Sequence, residues 1–184
     1  MELEVSAEAK DKRLNRSIAI TVVVLSVFMG LSNIKDGNIV QAMQQAQSDS
    51  VDQWNEYQAT RTKIRITEVA RTQLAATATG EAAAPALAGF AADIARYKSE
   101  APGFAAQAKA SSALYDALNI HDDQFDASDA LISTAVSLAA VAALVESGWL
   151  LAAAWAFGGF GLFFGICGFA GWGFHPDVLS NFLG

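Results

Sequence analysis

The chain has 184 residues, of which 12 are basic and 19 acidic, for a formal net charge of -7. That balance argues against nucleic acid or an anionic lipid surface as the chief partner, and a lone cysteine, Cys167, leaves neither a disulfide framework nor a metal cluster. A hydrophobic fraction of 53% would suit a soluble Ala-rich bundle as well as a membrane protein, so the distribution of apolar residues decides. Three uncharged runs, 17–34, 130–145 and 149–174, flank a polar middle, and 13 of the acidic residues lie between Asp36 and Asp129.

Residues 1–16 read as a cytoplasmic segment, because Lys10, Lys12, Arg13 and Arg16 precede the first run and bases beside a crossing are retained inside. Residues 17–34 approach the ~17–25 apolar residues a helix needs to cross hydrocarbon. With no A-x-A-like site before Lys35 and Asp36, this run is expected to be an uncleaved anchor, a cleaved signal peptide being the alternative. Three crossings then put the middle segment and the tail, 175–184, outside and the turn at Glu146, Ser147 and Gly148 inside. That turn carries no base, so the orientation rests on the N-terminal cluster.

The middle segment, 35–126, reads as an extramembrane helical domain. Asn38 to Ala78 holds no Pro or Gly and predicts one long helix, about 60 Å at 1.5 Å per residue. Val40, Met43, Trp54, Tyr57, Ile64 and Val69 give an interrupted apolar stripe, with Gln47, Ser50 and Arg61 between them. Such a helix needs cover from other subunits or from a folded-back hairpin. The stretch from Gly80 to Pro85 ends it. Residues 86–99 and 103–119 then predict two shorter helices divided by Ala101, Pro102 and Gly103, with Leu87, Phe90, Ile94 and Tyr97 on one face and Phe104, Ala108, Leu114 and Tyr115 on another.

The second crossing, 127–145, is largely alanine. The hydroxyls of Ser133, Thr134 and Ser137 are expected to bond back to their own helix, a polar seam against another helix being the alternative. In the third crossing, 149–174, Gly158, Gly161, Gly165 and Gly168 recur at intervals of three, four and three, with Gly171 near the same stripe. Glycine lets a second backbone approach closely, which is how helices associate in lipid. The seam is expected to pack on the small residues of the second crossing, with a neighbouring subunit as the alternative. Phe157, Phe160, Phe163, Phe164 and Phe169 take the other sides, and Trp149 and Trp172 bracket the run as interfacial anchors. The fold class is an all-α integral membrane protein, with three transmembrane helices and a long helical extramembrane hairpin between the first and second.

The segment from Asp52 through Trp54, Glu56 and Tyr57 to Ala59, followed by Arg61, Lys63 and Arg65, resembles the signature of the bacterial family called domain of unknown function 4337. His121, Phe125 and Asp126 are similar to that family's His-x-x-Phe-Asp pattern before the second crossing. Anchor, Trp-and-Tyr helix, acidic segment and closing pair of membrane helices extend the likeness over nearly the whole chain. The departure is at Glu146, Ser147 and Gly148, where the family tends to carry bases. The resemblance implies an inner-membrane protein with no assigned reaction, and it supplies no catalytic residues.

Two constellations carry alternative readings. Asp52, Trp54, Glu56, Tyr57 and Arg61 occupy about three helical turns and form either an exposed ion pair beside an aromatic packing site or an inter-subunit contact anchored by Trp54, Tyr57 and Arg61. His121, Asp122, Asp123 and Asp126 form either a solvated acidic helix start, whose charges suit an N-terminal dipole, or a divalent-cation site. His175, before Pro176, has no visible partner. No nucleophile stands with a base and no metal set is visible, so no catalytic, cofactor or metal residue is assigned. The expected function is a non-enzymatic membrane scaffold or accessory subunit, in contact with lipid, that forms a homo-oligomer or joins a larger complex in the bacterial inner membrane. A small channel or transporter lined by Asp129, Ser133, Thr134 and Ser137 is the alternative.

Overall fold

The computed structural model describes residues 2–78 and 83–174. These form three helices, α1 (Glu2–Thr77), α2 (Ala84–Leu144) and α3 (Gly148–Ala170), with no strand among the described residues. Each is long and apolar enough to cross a membrane. The anchor at 17–34 and the long helix at 38–78 are therefore parts of one uninterrupted element, α1. Residues 79–82, within the expected helix breaker, and the tail from His175 onward lie outside the described residues.

The predicted break at Ala101, Pro102 and Gly103 is corrected: α2 runs through it, with Pro102 inside the helix. A proline removes one backbone donor and crowds the preceding turn, at a cost of ~3 kcal/mol. Ala101 and Ala108, on either side of it, are buried, and their packing works against part of that loss. The boundary of the third crossing is corrected too. Gly171 takes φ +68 at the C-terminus of α3, where the Trp172 N–H donates to the Cys167 carbonyl at 3.0 Å. Gly171 is thus a left-handed helix stop and not a member of the packing stripe. At the other end, Glu146 turns the chain with φ +49, and the Ser147 N–H reaches the Ala142 carbonyl at 3.1 Å.

The chain divides into two compact units, the first made of Met1–Ala42 with Ala117–Gly184 and the second of Met43–Asp116. In the first, all three helices share a core. Ile18 packs with Ala139, Ala142, Leu151 and Ala154, and Leu25 with Ile132 and Ala135. The inward residues of α2 are mostly alanine, which brings the backbones close. Val23, Val27, Trp149, Phe160 and Phe163 are exposed on the outer surface, which suits hydrocarbon rather than water. Phe164, expected on that outer side, is buried instead.

In the second unit, α1 and α2 lie side by side in opposite directions, as the pairs Ser50 with Ser112 and Glu68 with Lys98 show. Met43, Ala46, Ser50, Thr60 and Ile64 of α1 are buried, as are Ile94, Ala101 and Ala108 of α2. Their spacings, three, four, ten and four on α1 and seven and seven on α2, keep one face of each helix toward the other, as in a coiled coil. This core is small and partly polar. The Ser50 and Ser112 hydroxyls bond at 2.9 Å.

Candidate functional site

The glycine seam sits inside the first unit. A Cβ added at Gly161 would stand 2.6 Å from Ile132 Cγ1 and 3.1 Å from the Ser128 carbonyl, both on α2. One at Gly168 would meet the Phe125 ring of α2 at 2.8 Å. At Gly158 it would meet Leu25 of α1 at 3.0 Å, and at Gly165 Phe28 of α1 and Ser128 of α2. The stripe therefore faces both other helices of the same chain. Trp155 adds a polar tie, its Nε1 donating to Thr21 Oγ1 at 2.9 Å, while that hydroxyl donates to the Ser17 carbonyl at 2.9 Å.

Near the end of that seam, α2 carries the acidic segment singled out from sequence, and α1 contributes a member that sequence reasoning missed. Asp36 of α1 and Asp122 of α2 are half-buried and share a side-chain hydrogen bond. Burial raises Asp36 above the ordinary carboxylate range, and the charges of Asp126 and Asp129 add to that. Asp122 is pushed up to about 6 by burial, then by the Asp36 charge and the shared bond. Two carboxyls so placed hold one proton between them more readily than they bear two charges. No three His, Cys, Asp or Glu side chains among the described residues are grouped as metal ligands. The signal that points to Asp36 is its position between Ser32 and Ile39, both buried, at intervals of four and three on one helix face.

Gln124, two residues beyond Asp122 on α2 and not singled out from sequence, is completely buried. Its Nε2 donates to the Trp172 carbonyl at 2.7 Å and to that of Phe174, and its Oε1 lies 3.1 Å from His121 Nδ1. The amide thus ties carbonyls just past the end of α3 to α2. His121, Asp122 and Gln124 form a junction at which α2 holds both neighbours.

The aromatic constellation belongs to the second unit. Trp54 and Tyr57 are half-buried and stack edge to face, with ring centroids 5.6 Å apart. Arg61 Nη1 donates to the Tyr57 hydroxyl at 2.9 Å, and its guanidinium carbon lies 5.7 Å from that ring's centroid. The three residues are therefore brought together, whereas Asp52 and Glu56 enter no ion pair of the described residues. Of the α2 hydroxyls, Thr134 donates to the Ala130 carbonyl at 2.9 Å and Ser137 to that of Ser133 at 2.8 Å. Ser133 instead contacts Met29 Sδ of α1 at 3.7 Å.

The family model that matches is Domain of unknown function (DUF4337), over residues 14–171. No curated protein and no solved structure matches.

Proposed function

We propose that this chain, which belongs to the family described as Domain of unknown function (DUF4337), is a non-enzymatic membrane scaffold or accessory subunit that self-associates or docks on a larger complex of the bacterial inner membrane. In this reading α1, α2 and α3 cross the bilayer with the N-terminus cytoplasmic, and residues 35–126 form a periplasmic helical hairpin. The close contacts of the α3 glycines with α1 and α2 support this reading. The observation that carries the reading is the surface of the second unit. Val51, Ile66, Val69 and Leu114 are each more than half exposed there among the described residues. Single exposed apolar residues are ordinary. Four on a slim helical pair, beside an aromatic cluster with its own arginine, form a surface suited to a protein partner.

The channel reading has less support, because Thr134 and Ser137 spend their hydroxyls on their own helix. Replacing Trp54 and Tyr57 together by Ala tests the scaffold. Particles extracted in mild detergent are expected to shift to smaller sizes or to lose a partner, with membrane insertion intact. Unchanged size and partner content would remove this cluster from the contact. A cysteine at Ser99 tests the topology. It is expected to react with an impermeant thiol reagent in intact cells, and labelling only after lysis would invert the orientation.

A further inference from the structure

Residues 61–98 reverse the charge balance of the chain. They hold six bases against the three acids Glu68, Glu81 and Asp93, in a protein whose net charge is -7. Three of those bases, Arg61, Arg65 and Lys98, line one groove of about 560 Å³ between α1 and α2. Ile64 and Ala101 are buried at its base, and Ala101, Pro102 and Ala105 are short enough to leave room opposite the long arginines. Two of its cations are already held in place. Arg61 is tethered to the Tyr57 hydroxyl at 2.9 Å, and Lys98 Nζ meets Glu68 Oε1 at 2.7 Å. Arg65 enters no ion pair of the described residues.

We propose that this groove binds a compact dianionic oxyanion, namely inorganic phosphate or a phosphate monoester. Three cations less the Glu68 carboxylate leave two positive charges, which a dianion neutralises. Glu68 stays ionised, because the hydrogen bond from Lys98 and the charge behind it hold its carboxyl below the usual range. Guanidinium groups offer paired donors that fit phosphate oxygens, and a tethered arginine loses less freedom on binding than a loose one. The space is the size of a small-ligand site rather than of a nucleic-acid track. The phosphate monoester is common to soluble metabolites and to phosphatidic acid, so the chemistry is one and the source is what remains to be measured. The inference does not depend on the scaffold reading, since a monomer would bind the anion equally.

The test is a calorimetric titration of the full-length protein in detergent, at ionic strength held constant with chloride. One arm uses inorganic phosphate and the other dihexanoyl phosphatidic acid. Saturable binding is expected in at least one arm, weakened by at least about tenfold in the R61Q/R65Q double variant. Binding is expected to tighten in E68Q, which releases Lys98 from its carboxylate. Those side chains are exposed, and the circular dichroism and melting of each variant report that the fold is kept. Comparable binding in both arms assigns a soluble phosphate. Binding at least tenfold tighter to the phosphatidic acid assigns a lipid headgroup. Absence of binding in both arms, or equal binding by R61Q/R65Q and the native protein, overturns the proposal.

Discussion

A single methyl group placed at four neighbouring glycines separates close packing from mere composition. At Gly159 an added Cβ meets nothing within 4 Å, so Gly159→Ala changes only the backbone entropy. Alanine is favoured over glycine in a helix by ~1 kcal/mol, and this variant is expected to be neutral or more stable by up to that amount. At Gly161 the same methyl would stand 2.6 Å from Ile132 Cγ1, 3.1 Å from the Ser128 carbonyl and 3.2 Å from the Ile132 amide nitrogen. Two of those atoms are backbone and cannot swing away. Overpacking a tight core costs ~1–3 kcal/mol, and with two backbone atoms in the way the cost lies toward the upper end, so Gly161→Ala is expected to lose up to about 2 kcal/mol net. Gly158→Ala falls between the two, because its nearest neighbour is the flexible tip of Leu25 at 3.0 Å. Gly168→Ala is expected to resemble Gly161→Ala, since the ring of Phe125, 2.8 Å away, is buried and has little room to move. Reversible unfolding in a mixed-micelle titration reads the series, with Gly159→Ala as internal control. Equal stabilities for Gly159→Ala and Gly161→Ala would refute the argument, because the helix would then be indifferent to which face is filled.

Three further outcomes follow from the junctions. Asp122 binds its proton more tightly folded than unfolded, so its contribution is present below the ordinary 3.8 and is lost as pH rises through about 6. Asp122→Asn, which keeps the neutral form, should melt higher than the native protein at pH 8 and flatten the melting profile between those limits; a profile parallel to the native one would contradict the shared proton. Gln124→Leu leaves the Trp172 and Phe174 carbonyls without their donor and should cost ~1–3 kcal/mol, with the loss seen first as faster amide exchange near the end of α3; uniform exchange would deny the tie. Glu146→Gly relieves a left-handed residue at the α2–α3 turn and should raise stability by up to about 1 kcal/mol, whereas a loss would mean that the Glu146 side chain has a structural role.

The elements that were legible in the sequence are those whose signal is local. The apolar run after Trp149 and the spaced glycines identify α3 and its packing face, because both depend on residues within one helix. Gly171 shares the composition of that stripe but not its role, and only its φ separates stop from seam. Pro102 misled for the opposite reason. The local cost of a helical proline is fixed, while the burial of Ala101 and Ala108 around it is tertiary and no local pattern reveals it. The pairing of Asp36 with Asp122 joins residues on different helices, so only the acidic cluster on α2 could be seen. Gln124 was invisible because nothing in its neighbours indicates that the chain after α3 returns to it. Arg61 was identified as part of a contact cluster, but its meeting with Lys98 across a groove required α2 to remain one helix through Pro102.

The proposed function rests on assembly of the chain in a membrane. Native mass measurement of the protein released from its own membranes in mild detergent tests it most directly. Particles that are a multiple of the 19.4 kDa chain, or a discrete complex with another subunit, are expected. A uniform population of single 19.4 kDa chains, across detergents mild enough to preserve other membrane assemblies, would contradict it.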